Sequence, residues 1–315
     1  MSNNDISATT LPIVDAHHHL WNLSDPNHHY TFLRPDTPND FIAGDRRPLK
    51  STYSIQDYIK DTGPYNVVKS VHVEAAYDIH ADPWGDIEWL YEQAKTNKNQ
   101  LPNVLVAHAN LADDQVRERL ATLTNRFDKV RGIRHLINWL DSKESKYTLC
   151  DRPDYLTDDK WKQGFGLLNQ YGLSFDLAIY HHQMNDAAQL ARENLDTTII
   201  LDHCGMPYDN MVSINQWKAG MAALAQQPNV SCKLSGLVMF QHNWTAESLR
   251  PFLECALNVF GVDRCLFASN FPVDKLHATF GQLVEANLQV AKEVGLSKQE
   301  IERIFHDNAF RIYRL

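Results

Sequence analysis

Eight times along this chain a short apolar run, mostly β-branched, is followed by a polar stretch with helical spacing. The runs occupy 13–19, 67–75, 104–110, 130–136, 173–180, 198–203, 230–235 and 265–270. Runs this short and this apolar suit parallel strands covered on both faces. The stretches between them read as helices. Ser54 is placed to cap the first, 54–61; 82–97 carries Ile87, Leu90, Tyr91 and Ala94; 113–127 carries Val116, Leu120 and Leu123. The remainder are 159–171, 185–194, 214–226, 246–260 and 297–309. Such alternation fits a closed parallel barrel or a doubly wound sheet. The count of eight favours the barrel. So does a length of 315 residues, somewhat above the roughly 250 typical of that fold. The expectation is an α/β chain folded as one (β/α)8 TIM barrel domain over 1–315.

Composition narrows the functions open to such a barrel. Hydrophobic residues make up 43%, enough for a large core. The formal charge of −9 argues against nucleic acid, whose phosphates need a basic face. No apolar run approaches the roughly 18 residues of a membrane span. The polar N-terminal stretch lacks the basic and apolar parts of a signal peptide, so a cytoplasmic location is expected. Cys150, Cys204, Cys232, Cys255 and Cys265 form no CxxC pair, which speaks against a disulfide framework or a cysteine-rich zinc site. The partner expected is a small molecule. No sequence signal sets the oligomeric state.

In a barrel the chemistry sits at the C-terminal strand ends. Here those ends carry His17, His18 and His19; His72 and Glu74; His108; Arg134 and His135; Asp176 and Tyr180, with His182 just beyond; Asp202 and His203; Lys233 and Ser235; Ser269 and Asn270. Strand alternation puts His17 and His19 on one face and His18 on the other. Two imidazoles side by side suit one divalent ion; a solvated histidine cluster is the alternative. Glu74 ends an apolar strand, so its carboxylate needs a metal or a cation such as Arg134. His203 reads as a site group, with a core histidine as the alternative, and Lys233 as a buried cation facing a carboxylate or simply paired with Asp202. The segment 21–52, rich in Pro, Asp and aromatics and without periodicity, follows the first strand and is expected to wall or cover the mouth.

The segments IVDAHHHLW (13–21), VHVEAAYD (71–78), VRGIRHLI (130–137), FDLAIYHHQM (175–184), IILDHCGMP (199–207), CKLSGL (232–237), FASNFPVD (267–274) and NAFRIYRL (308–315) occur in order along nearly the whole chain. In them the sequence resembles the lactonase-like branch of the amidohydrolase superfamily. The resemblance implies a (β/α)8 barrel that opens a cyclic ester, with His17, His19 and His203 at the family's histidine positions. Its members differ in needing a metal, so the one divalent ion, zinc first, is expected from the histidine pair and not from the resemblance. The family usually has Asp where this chain has Asn270. Asn takes no proton at neutral pH, so the base is unneeded there or is supplied by Asp274, Glu74 or His182.

These readings combine into an expected lactone hydrolase acting by activated-water attack. His17, His19, Glu74 and His203 are the metal candidates. Asn270, His203 and Asp274 are the catalytic candidates, and Trp21, Arg134, Tyr180 and His182 would contact substrate. The alternatives are a nonoxidative decarboxylase of an aromatic acid and a ligand-binding barrel without turnover.

Overall fold

The structure, a computed structural model, describes residues 6–80, 82–140, 147–208 and 214–315. Eight strands pair in chain order, each parallel to the next: β1 (Ile13–His18), β2 (Val67–Val73), β3 (Val104–His108), β4 (Val130–Arg134), β5 (Ser174–Leu177), β6 (Ile199–Leu201), β7 (Val230–Leu234) and β8 (Cys265–Phe267). Beyond β8 the chain returns to β1. His18 bridges Phe271, His19 N donates to Phe271 O at 2.7 Å, and Asn270 N donates to His17 O at 2.8 Å. Asp15 reinforces this seam by accepting from Ser269 N (2.8 Å) and from Tyr58 Oη (2.7 Å). Closure of the barrel therefore runs through the same backbone that carries the expected site.

Val14, Ala16, Val71, Val73, Val104, Val106, Ile200, Leu266 and Ala268 pack together as the barrel's filling, with Ala309, Ile312 and Tyr313 from the C-terminal helix against them. This is the layered apolar interior that makes such a barrel a core and not a pore. β1 breaks step on the way up: its pairing with β2 shifts register between Asp15 and His18. The slip changes which face the later residues present. Val14 and Ala16 belong to the filling, and above them His17 turns toward Lys233 and Asp202, while His18 bonds Ser70 and stacks on Tyr58 outside.

The helices are α1 (Ile55–Thr62), α2 (Gly85–Lys95), α3 (Val116–Arg126), α4 (Asp159–Gly166), α5 (Met184–Glu193), α6 (Ile214–Ala225), α7 (Ala246–Phe260) and α8 (Phe280–Glu293). Ser54 caps α1 in a reciprocal capping box with Asp57, as its position predicts. The sequence reading erred on the eighth helix. It passed over α8, and took 297–309 for the helix that follows the last strand. That stretch is an additional C-terminal unit, Lys298–Glu302, a π turn Arg303–Asp307 and Asn308–Ile312, packed against β1 and β8. The signal for α8 is present: Thr279 forms a capping box with Gln282, and Leu283, Val284, Leu288 and Ala291 fall at helical spacing.

Candidate active site

His17 stands between two other histidines above the barrel filling, and His17, Asp202 and His203 bring their ligand atoms within 4.8 Å of one another. His17 Nε2 lies 3.1 Å from His19 Nε2, and the rings of His17 and His203 are 4.6 Å apart. His19 Nδ1 is 2.8 Å from Val73 O, a partner that can only accept, so Nδ1 carries the proton and the Nε2 lone pair points at the cluster. His203 Nδ1 rests on Ser235 Oγ at 2.9 Å. Burial pushes the pKa of His17 and of His19 well below the ordinary 6.5, and that of His203 down to about 4. All three are neutral at pH 7, the form that binds a metal.

The turn carrying His203 is strained. His203, Cys204 and Met206 all have positive φ (55°, 51° and 45°), a conformation costing about 1–3 kcal/mol per non-glycine residue. Gly236 makes room for it: a Cβ there would sit 2.5 Å from His203 Cγ.

A charged network underlies the cluster. Lys233, wholly buried, is ion-paired with Asp176 and with Asp202 (2.8 Å), and its Nζ is 3.1 Å from His17 Nδ1. Tyr313, from the C-terminal helix, donates to Asp176 at 2.7 Å. Burial alone would raise the Asp202 pKa; Lys233 and His17 outweigh it and keep this carboxylate ionised. Asp202 Oδ1 is 3.4 Å from His17 Nδ1. His17 thus has a cation and a carboxylate beside the same nitrogen, and either tautomer finds a partner.

Glu74 is committed elsewhere. Its Oε1 accepts from Arg134 Nε (2.7 Å) and its Oε2 from Ala76 N (2.7 Å). Of the two partners the sequence allowed, the structure supplies Arg134, and Glu74 stands outside the group of close ligand atoms, His17, Asp202 and His203. Arg134 also approaches Asp202 at 3.5 Å.

Asn270 ends the β8 side, with φ 55°. Its Nδ2 donates to Asp274 Oδ1 at 2.7 Å, which turns the amide oxygen away from Asp274. Burial pushes the Asp274 pKa up to about 8. Asp274 does not reach the mouth cavity; it sits behind Asn270, one helical turn on, and orients it.

The cavity over this floor measures about 410 Å³. His19, Arg134, His203 and Asn270 form its base, and Phe32, Phe41, Ile42, Arg46, Met206 and Met239 are among its walls. The 21–52 segment thus contributes wall residues, several from a small hairpin, Asp40–Phe41 with Gly44–Asp45. Three expected substrate contacts lie outside the lining. Trp21 is buried with its indole donating to Ser51 O, and Tyr180 with its hydroxyl on Tyr147 O. His182 is exposed on a short turn, because β5 ends at Leu177 and the chain bends outward before reaching it. Sequence reasoning also missed Arg46, which lies in a stretch without periodicity, and weighed Asp202 only as a strand-end group and a partner for Lys233, the pairing the structure shows.

The family model described as Amidohydrolase matches residues 14–315. A Sinorhizobium fredii protein called y4mH, described as uncharacterized, is 38% identical over 305 residues, 97% of this chain and 99% of that one. An L-fucono-1,5-lactonase of Burkholderia multivorans is 29% identical over 222 residues, 67% of this chain and 71% of its own. In fold, the chain is similar to the crystal structure of a B. multivorans amidohydrolase with bound zinc, at a TM-score of 0.77 and 23% identity, covering 96% of this chain and 99% of that one. The chain belongs to the amidohydrolase family and is a hydrolase.

Proposed function

We propose that this hydrolase opens a small lactone by water attack, using a divalent ion, zinc first, held by His17, His19 and His203. The observation that carries the reading is the facing pair of Nε2 atoms, 3.1 Å apart, with His19 Nδ1 pinned to a backbone carbonyl. That spacing is close to the roughly 3.3 Å between two nitrogens on one tetrahedral zinc with bonds of about 2.05 Å. Asp202 is suited to hold the His17 tautomer that ligates, as carboxylates commonly do for metal-bound histidines. When bound, the ion supplies Lewis-acid polarisation of the ester carbonyl.

The protein groups do the rest. Arg134, whose guanidinium edges the cavity base, offsets negative charge developing on the carbonyl oxygen. The Asn270 amide oxygen, aimed by Asp274, accepts a hydrogen bond from the attacking water and so orients it. The new C–O bond forms as the ring C–O bond breaks. One water proton ends on the released ring oxygen, and the new carboxylic acid gives its proton to buffer. The lactonase names among the relatives support this reading.

A lactone panel followed with a pH indicator tests it. Ring opening should release one proton per turnover, stop after chelation and return with added zinc. Absence of acid release from every lactone, together with carbon dioxide release from a carboxylated aromatic ring, would overturn it.

A further inference from the structure

The cavity contains a cation for which the floor chemistry has no use. Arg46 is 7% exposed and stands in the wall contributed by the 21–52 segment. Its backbone N–H donates to Asn39 O at 2.8 Å, just after the hairpin that turns at Ile42–Ala43 and resumes at Gly44 with φ 94°. Its guanidinium lies over the Phe41 ring, 4.7 Å from the centroid, and Nη1 donates to Phe32 O at 2.6 Å. Its Nε is buried without a hydrogen-bond partner. Among the described residues no carboxylate comes within ion-pair distance of it. Asp40 attracts it from farther off, but burial outweighs that attraction and lowers the Arg46 pKa.

Arg134, the other arginine or lysine of the lining among the described residues, differs in this respect. Glu74 and Asp202 already neutralise it. A buried guanidinium with an unspent donor is costly unless an anion reaches it. The polar wall groups nearby are largely occupied with the protein itself: Thr31 Oγ1 donates to Ala76 O, Thr37 Oγ1 to Thr31 O, and Thr148 Oγ1 to Leu140 O. Asp40 and Asn138 are the remaining polar groups of the described wall, few for a heavily hydroxylated ring. Phe32, Phe41, Ile42, Leu149, Met206 and Met239 make the rest of it largely apolar.

Resting on the lactonase reading, we infer that Arg46 is the specificity-determining residue of this site, and that the substrate is a largely apolar lactone bearing a carboxylate. The ester faces the histidine floor, and the carboxylate pairs with Arg46 in the roof, displacing the need for any internal counter-ion there. Arg46 does not touch the reacting bond.

The test compares isocoumarin-3-carboxylate with isocoumarin-3-carboxamide, which differ in that one charge. Wild type should favour the carboxylate in kcat/KM by about 30-fold or more, the scale of a desolvated charge pair. Arg46→Gln should bring the ratio near one, chiefly through the carboxylate's KM, and Arg46→Lys should keep part of it. The ratio is taken within one preparation, so loss of folded protein cancels. Equal rates for the two lactones in wild type, or an equal fall on both in Arg46→Gln, would overturn the inference. Binding of the lactam 1-oxo-1,2-dihydroisoquinoline-3-carboxylate, measured by calorimetry, separates the two claims. Arg46-dependent binding without turnover of either lactone would sink the lactonase reading and keep the anion site. Binding of the lactam by Arg46→Gln as tight as by wild type would remove the anion site.

Discussion

The floor and the roof of the cavity are built on opposite principles. The floor is made of strand-end side chains, His19, Arg134, His203 and Asn270, over a buried network in which His17, Asp202 and Lys233 pair with one another. The roof is a loop segment in which Phe32, Phe41 and Ile42, with Thr31, Thr37 and Asp40, surround one cation, Arg46, whose Nε has no hydrogen-bond partner. A group on a strand inherits the barrel's rigidity, whereas a group on a loop is free to vary with the ligand. The difference assigns bond-breaking to the floor and substrate choice to the roof.

The largest effect that would break this division lies in the floor. His17→Ala and His19→Ala should each remove the bound metal and lower kcat by more than the roughly 10²–10³ that one lost hydrogen-bond donor costs. Metal analysis and steady-state kinetics on the same preparations check both; full turnover in either variant would move the chemistry elsewhere.

Lys233→Met comes next, because it leaves Asp176 and Asp202 buried without their shared cation. Breaking such a cluster should cost about 3–5 kcal/mol of stability. Urea melts measure this. A change under about 1 kcal/mol would show that the network is not held as described.

Asn270 sharpens the comparison at the seam. Asn270→Ala should lower kcat by up to about 10², since a single hydrogen bond to a reacting oxygen is lost. Asn270→Asp should be the more active of the two if the residue serves the water. If instead it reads a negative substrate group, the Asp variant should be the slower. Near wild-type turnover in both would take Asn270 out of the site.

Asp274 gives a smaller, pH-dependent effect. Its folded pKa, about 8, lies above the ordinary 3.8, so the native state holds a proton that the unfolded chain gives up. The stability this contributes is complete below about pH 4 and is lost as pH rises to about 8. Asp274→Asn lacks that dependence and still offers an oxygen to Asn270 Nδ2. Thermal melts should show the wild type losing ground to the variant between pH 4 and 8 and none beyond; a constant difference would contradict the buried, proton-holding carboxyl. Smallest is a change in another wall of the cavity, away from Arg46: Met239→Ala should raise KM several-fold with kcat nearly kept, as uniform binding contacts do.

How much was legible follows the same division. The strands declared themselves because parallel strands buried on both faces must be continuous apolar runs, and polar residues ending them stand out. His17, His19, His203 and Arg134 were found that way. The role of Glu74 was not, because a strand-end carboxylate looks the same whether it faces a metal or Arg134. Tyr180 and His182 were misplaced by counting past the end of β5, where alternation no longer holds. Arg46 was invisible because nothing periodic leads to it, and only the packing of Phe32 and Phe41 shows its charge to be enclosed.

The central claim is that the histidine floor holds one divalent ion and that hydrolysis depends on it. Metal content and lactone turnover should therefore be measured together on protein stripped with a chelator and reconstituted stepwise with zinc. The account predicts that both rise in parallel and level off at about one ion per chain. Undiminished turnover in stripped protein, with less than about a tenth of an ion per chain, would contradict it.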